Sequence, residues 1–262
     1  MNRKYLAIPV VLSLLATGVA AHTNGGLLGD IPSTTEAVKV DAKKDAIYDK
    51  GLTVNVDQQN GDTAVRATAV AKAVYNGGKL YVYAEVKDAE VVAPTSDAQN
   101  NSPWTTDSFE VFVNPNNNDN TKETQQYRID NTGFPSYYTQ NGVSDYGSKA
   151  DAHFSYAAAK IDGGYAVEFC IPVDSKEIGI NFQVNDVVSN GAQVLAMAPS
   201  KVTGKGAGSW SAAEYPYVTI GETTASLPKK TDTAAQTADA SVIAALAAVV
   251  SAAGAVVAKK KR

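Results

Sequence analysis

Asn76-Gly77-Gly78-Lys79-Leu80-Tyr81-Val82-Tyr83-Ala84-Glu85-Val86-Lys87-Asp88 is the stretch that decides the fold class. Leu80, Val82, Ala84 and Val86 fall on one face and Tyr81, Tyr83, Glu85 and Lys87 on the other, the period-two pattern of a half-buried strand. The Asn-Gly-Gly ahead of it is a tight-turn signal, so residues 67–75 are expected to be its hairpin partner. The same arrangement recurs where residues 154–161 run into Asp162-Gly163-Gly164 and then Tyr165-Ala166-Val167-Glu168-Phe169. Phe109, Val111 and Val113 alternate with Ser108, Glu110 and Phe112, and Tyr127 and Ile129 with Gln126, Arg128 and Asp130. Further strands are expected at 180–186 and 217–220. Many short strands, two-glycine turns and no long amphipathic helix predict an all-β protein, an antiparallel β-sandwich of the jelly-roll or immunoglobulin-like kind.

Outward from these strands the composition changes. Residues 1–21 have a basic start at Arg3 and Lys4, an apolar run and Val19-Ala20-Ala21 as a small-residue cleavage site, the three parts of a secretory signal peptide. Residues 22–36 and 222–241 are rich in Thr, Ala, Ser, Gly and Pro and are expected to be linkers around one domain at 37–221. Residues 242–258 form an uncharged Ala- and Val-rich run that would reach roughly 25 Å as a helix, and Lys259-Lys260-Lys261-Arg262 closes it. That predicts a C-terminal transmembrane helix with a basic tail over 242–262, its charges on the cytoplasmic side. Leu227-Pro228-Lys229-Lys230-Thr231-Asp232 and Gln236-Thr237-Ala238-Asp239, just ahead of it, resemble the sorting peptide of Gram-positive surface proteins, with Asp232 where that peptide has Gly. The expectation is an exported protein held on the cell surface, in the membrane or the cell wall.

Twenty-three basic against 27 acidic side chains leave a formal charge of −4, and Arg3, Lys4 and the last four residues, all basic, lie outside the expected domain. A domain more acidic than the whole chain is a poor partner for nucleic acid. Cys170 is the one cysteine, so no intramolecular disulfide forms, and its strand context makes it a small buried hydrophobe. The histidines are His22 and His153, too few for a Cys/His metal site.

Both tryptophans stand among small polar residues. Trp104 follows Asn100-Asn101-Ser102-Pro103, and Trp210 follows Gly204-Lys205-Gly206-Ala207-Gly208-Ser209. A loop indole with little apolar company needs a distant fold partner or a ligand to cover it. Flat apolar rings beside carboxylates and amides suit a sugar, whose C–H faces are apolar and whose hydroxyls seek paired donors and acceptors. Glu110 faces away from Phe109, Val111 and Val113, which frees it for such a role. Arg128 is either a donor to hydroxyls or a salt-bridge partner of a neighbour such as Asp130 or Glu123.

Four motifs occur in a telling order: Lys79 to Asp88; Trp104-x-x-Asp107-Ser108-x-Glu110-Val111-Phe112-Val113; Gly164-Tyr165-x-Val167-Glu168-x-x-Ile171-Pro172; and Phe182-Gln183-Val184-Asn185-Asp186. Together they resemble the family 9 carbohydrate-binding modules over nearly all of 37–221. The resemblance implies a β-sandwich often appended to xylanases, with cellulose or xylan chain ends gripped between two tryptophans. It implies Trp104 and Trp210 as the two jaws, Glu110 as hydroxyl acceptor, Arg128 as donor, and structural roles for Glu168 and Asp186. Ala207 stands where the family's binding members carry an amide three residues before the second tryptophan, leaving Asn190 or Gln193 to supply one. It further implies structural calcium, with Asp41, Asp45 and Asp49 or residues 116–119 as the candidates, although neither has the ligand order of a known calcium loop.

Two other function classes are open to this sequence. A glycoside hydrolase needs two carboxylates across a cleft, and Glu110 with Glu168 is the pair that could be nominated. The other is a haem-binding relative: a similar sandwich resembles the cytochrome domains of some surface dehydrogenases, which use Met and His axial ligands, and Met197 and His153 are the couple this would imply.

Overall fold

In the computed structural model, which describes residues 25–60, 64–188, 191–198 and 207–228, Gly77 and Gly78 take φ of +56° and +83°. A two-residue turn between twisted strands requires these left-handed values, and glycine supplies them without a Cβ clash. The turn joins Thr68–Asn76 to Lys79–Lys87 with Asn76 opposite Lys79, as the sequence predicts. In chain order the strands are β1 (Leu27–Ser33), β2 (Leu52–Val56), β3 (Gln58–Gln59), β4 (Thr68–Asn76), β5 (Lys79–Lys87), β6 (Ser108–Asn114) and β7 (Gln125–Asp130). Then come β8 (Pro135–Thr139), β9 (Ser144–Tyr146), β10 (Ser155–Ile161), β11 (Gly164–Pro172), β12 (Glu177–Val187), β13 (Gln193–Met197) and β14 (Tyr217–Thr224). A single α-helix among the described residues, α1 (Ser96–Asn101), precedes the Trp104 turn.

The strands hydrogen-bond in the order β10-β11-β5-β4-β1-β14-β12-β6-β7-β8-β9, one continuous sheet that curls on itself. Leu80, Val82, Ala84 and Val86 of β5 and Val167, Phe169 and Ile171 of β11 share one core with Phe109, Val111 and Val113 of β6 and Ile180, Phe182 and Val184 of β12. Phe109 stands 6.1 Å from both Phe169 and Phe182, ring centre to ring centre. Each such fully buried side chain contributes about 1.5–3 kcal/mol. The arrangement is sandwich-like in its two facing layers, but it is not purely antiparallel: β1 runs parallel to β14, Ile31 opposite Ile220, and meets β4 in parallel at Ser33 and Tyr75.

β1 corrects a second expectation, that residues 22–36 are a linker. Gly29 and Pro32 interrupt any alternation, and register shifts break the pairing between Leu27 and Gly29 and between Ile31 and Ser33. Ile31 is nevertheless fully buried. At the other boundary β14 continues to Thr224 and Ala225 is buried, so structure extends beyond 221. The expected signal peptide, Asn190, the sorting-like peptide beyond Pro228 and the expected C-terminal helix lie outside the described residues. Among the described residues no helix is long and apolar enough to cross a membrane.

The outer face of the β5–β11 layer is covered by the short 3₁₀ helix Ala46–Lys50, whose Tyr48 ring lies 5.5 Å from that of Tyr83. Glu168 locks this cover on. Its carboxylate accepts from the Tyr48 hydroxyl at 2.8 Å and from the backbone N–H groups of Asp41 and Ala42 at 2.9 Å each. Cys170, 6% exposed on the same face, is buried as its context suggests.

Candidate functional site

Strand alternation puts Phe109, Val111 and Val113 in the core and turns Ser108, Glu110 and Phe112 to the opposite face, and register then lines up residues from different strands. Gln183 of β12, Glu110 of β6, Arg128 of β7, Ser136 of β8 and Tyr146 of β9 stand opposite one another in one cross-strand row. Asn185 and Ser108 lie in the row on one side, and Phe112, Gln126 and Tyr138 in the row on the other. Every residue of β6 is buried, polar ones included. A buried polar face survives only where its groups satisfy one another or a ligand.

Glu110 is satisfied from within. Asn185 Nδ2 donates to its Oε1 at 2.8 Å and Gln183 Nε2 to its Oε2 at 3.0 Å, while Arg128 Nε lies 3.5 Å from Oε1. Burial pushes the Glu110 carboxyl up from its ordinary range, and the Arg128 charge pulls it back. Arg128 is only partly satisfied: one terminal nitrogen donates to Ser136 Oγ, while Nε and Nη1 have no hydrogen-bond partner. Burial lowers its pKa to about 10, with Glu110 and Asp130 opposing the fall. A guanidinium 3% exposed and holding unspent donors is poised for a ligand oxygen.

Above this row lies a cavity of about 390 Å³ whose walls include Arg128, Gln126, Ser136, Tyr138 and Tyr146, with Trp104 and Trp210 also lining it. Its volume falls in the range of small-ligand sites, about 300–1,000 Å³. Trp104 sits on the 3₁₀ turn Pro103–Thr105 after α1. Its backbone is pinned, since Thr106 Oγ1 donates to the Pro103 carbonyl at 2.7 Å and Gln193 Nε2 donates to the Trp104 carbonyl. Trp104 as a whole is 49% exposed. Trp210 is half-buried, standing edge-on to Phe112 at 5.4 Å and Tyr138 at 5.1 Å. Ala207, fully buried, packs with Phe112 and Tyr215 beneath it and offers the cavity no amide. Of the residues singled out from the sequence, the cavity therefore gathers Trp104, Arg128 and Trp210, and Glu110 lies behind Arg128 rather than on the wall. Tyr138 and Tyr146 escaped the sequence reading, because strand tyrosines give no local sign of which cavity they line.

The two other readings fail on geometry. Glu168 and Glu110 point outward from facing layers, with Phe169 and Phe109 packed between them, so no cleft holds both carboxylates. Met197 is fully buried on β13. His153 stacks on Tyr137 of β8 at 3.8 Å and bonds to Asp145 at 2.7 Å. β12, β6 and β7 stand between β13 and β8, so Met197 and His153 do not face each other as an axial pair.

The acidic residues at the two calcium candidates have partners within the chain. Asp41 and Asp49 pair with Lys39, Lys44 and Lys72, and Asp45 accepts from the Lys39 N–H at 2.9 Å. Asn116 and Asn118 turn their amide nitrogens toward Glu123, at 2.8 Å each. A different set of oxygens does fit a metal. Asp88, Asp107 and Asp186 each bring a carboxylate oxygen within 4.8 Å of the others, and all three are buried. Asp88 Oδ2 and both oxygens of Asp186 have no hydrogen-bond partner.

The family model described as "Carbohydrate family 9 binding domain-like" matches residues 40–216. Endo-1,4-beta-xylanase A of Thermotoga neapolitana is 32% identical over 175 residues, which cover 64% of this chain and 14% of that protein. Endo-1,4-beta-xylanase C of Paenibacillus barcinonensis is 32% identical over 154 residues, 56% of this chain and 13% of that protein. The matched region is thus a small part of those xylanases. A family 9 carbohydrate binding module from Caldicellulosiruptor kristjanssonii, solved in complex with cellotriose, superposes with a TM-score of 0.56 at 21% identity, covering 76% of this chain and 98% of that one. Its complex with glucose gives the same TM-score at 22% identity, covering 76% and 100%. At such identities the likeness is one of fold.

Proposed function

The chain belongs to the carbohydrate family 9 binding domain-like family, and from that premise we propose that it binds carbohydrate without cleaving it. The substrate class is plant cell-wall polysaccharide, cellulose or xylan, or its oligosaccharides. One observation carries the reading: a buried arginine with unspent donors lies on the wall of a 390 Å³ cavity that is also lined by two indoles. The rings cover the apolar faces of a pyranose, and Arg128, with Gln126 and Ser136 beside it, meets the hydroxyls. Each stacked ring contributes on the order of 1–2 kcal/mol and each charged hydrogen bond roughly 1.5–3. After the loss of rigid-body freedom this leaves micromolar to millimolar affinity. The xylanase relatives and the cellotriose and glucose complexes support the choice of sugars.

Calorimetry of the full-length chain against cello- and xylo-oligosaccharides and their reduced alditols tests it. Saturable heat with at least one series is expected; heat with neither refutes the reading. The signal-like residues 1–21 and the apolar run 242–258 with its basic tail support export and retention at the cell surface. Cell fractionation is expected to find the protein in the surface fraction, and recovery from the cytosol would refute that part.

A further inference from the structure

A second set of rings and oxygens lies outside the cavity. The β7–β8 turn, the 3₁₀ helix Gly147–Ala152 and β10 border an open groove of about 410 Å³ that shares no lining residue with the cavity. Strand alternation separates the two, since Ser136 and Tyr146 line the cavity while their chain neighbours Pro135 and Gly147 line the groove. The half-buried rings of Phe134 and Tyr156 form its apolar part. Glycine at 147 leaves room for the first ring, because a Cβ there would stand 3.2 Å from Phe134 Cε2. The second ring is backed by buried Phe154 at 5.3 Å, ring centre to ring centre.

The polar part is fixed from behind. Asp130, 2% exposed, accepts from the Thr132 N–H at 2.9 Å, the Thr132 hydroxyl at 2.7 Å and the Phe134 N–H at 2.9 Å. Its other oxygen accepts from Gln99 Nε2 at 2.7 Å, which holds that amide by its nitrogen. The Tyr156 hydroxyl donates to Asp151 Oδ1 at 2.8 Å. Among the described residues no hydrogen bond occupies Gln99 Oε1, Asp151 Oδ2 or Ser148 Oγ. Oriented acceptors beside two rings suit a ligand with an apolar ring face and hydroxyls to donate. No lysine or arginine lines the groove, so a phosphate or an acidic sugar would find no counter-charge there.

We propose that this groove is a second, weaker site for a neutral pyranose, and that with the cavity it holds a polysaccharide at two points. The inference rests on the carbohydrate reading above, which supplies the class of sugar. Open to water and lacking a cationic donor, the groove is too weak to bind a free oligosaccharide measurably by itself. Once the cavity is occupied by a polymer, the second contact becomes intramolecular and adds avidity. The test compares the full-length wild type with Asp151→Ala, which removes an acceptor, and Ser148→Arg, which fills the groove from an exposed position. Calorimetry with cellotriose and xylotriose reads the cavity, and affinity electrophoresis in hydroxyethylcellulose or soluble arabinoxylan reads polymer binding. Both variants are expected to keep the wild-type trisaccharide affinity within about twofold and to lose at least about fivefold in polymer affinity. Should Asp151→Ala unfold early, Ser148→Arg decides alone. Polymer affinities equal to wild type overturn the groove site. An equal loss toward trisaccharide and polymer also overturns it, since the substitutions would then act through the cavity. A wild type that binds neither trisaccharide nor polymer refutes the carbohydrate reading itself, a result distinct from either of these.

Discussion

At the scale of single residues, Trp104 and Trp210 line one cavity but differ in what else they do. Trp104 is half-exposed, so Trp104→Ala is expected to abolish detectable sugar binding while costing less than about 1 kcal/mol in urea unfolding, as surface substitutions do. Trp210 leans on Phe112 and Tyr138, and Trp210→Ala is expected to lose binding together with roughly 1–3 kcal/mol of stability. Glu110→Gln keeps the shape but strips Arg128 of its counter-charge, and unfolding is expected to come earlier by about 3 kcal/mol, the cost of orphaning a buried ion. The loop aromatics were legible in the sequence because their Gly, Ser, Asn and Pro neighbours offer no apolar cover. The partner of Arg128 was not. Alternation says which face a side chain takes, whereas register says whom it meets, and register sets Arg128 opposite Glu110 rather than beside Glu123.

At the scale of elements, local signals were the readable ones. Both glycine hairpins form as expected because their turn chemistry lies within a few residues. Gly164 has a further duty that no turn rule reveals: a Cβ there would lie 1.9 Å from the Val86 carbonyl oxygen on β5. Gly164→Ala is expected to destabilise the fold by at least about 2 kcal/mol by chemical denaturation, through a clash with backbone that cannot swing away. β1 was unreadable because its partner lies far along the chain, Ile31 meeting Ile220. Its Asp30 clasps β14. Burial acts to raise the carboxyl, but hydrogen bonds from the Thr223 side chain and N–H, the Thr219 hydroxyl and the Glu222 N–H outweigh it and hold the pKa below the usual value. A folded pKa below the unfolded one means stability present above the unfolded value and lost as pH falls through the folded value. Thermal midpoints of wild type are therefore expected to fall between pH 5 and 3 more steeply than those of Asp30→Asn, and parallel curves would remove Asp30 from the acid response.

At the scale of the molecule, one curled sheet serves three purposes by its faces. The inner face is the apolar core, one outer face is sealed by Tyr48 and Glu168, and the other bears the buried polar rows of the cavity. Motif order carried the family, since four patterned stretches in sequence define strands that share this sheet. The three aspartates were invisible as a group, each being an ordinary strand-end residue until the sheet curls. Fluorescence titration of cellotriose and xylotriose into Trp104→Phe and Trp210→Phe bears most directly on the clamp of two indoles, because each variant keeps one reporter and a ring at the other position. Both emissions are expected to shift with the same sugar and at the same midpoint. A shift confined to one variant, or two midpoints that disagree, would mean that the rings do not share a ligand.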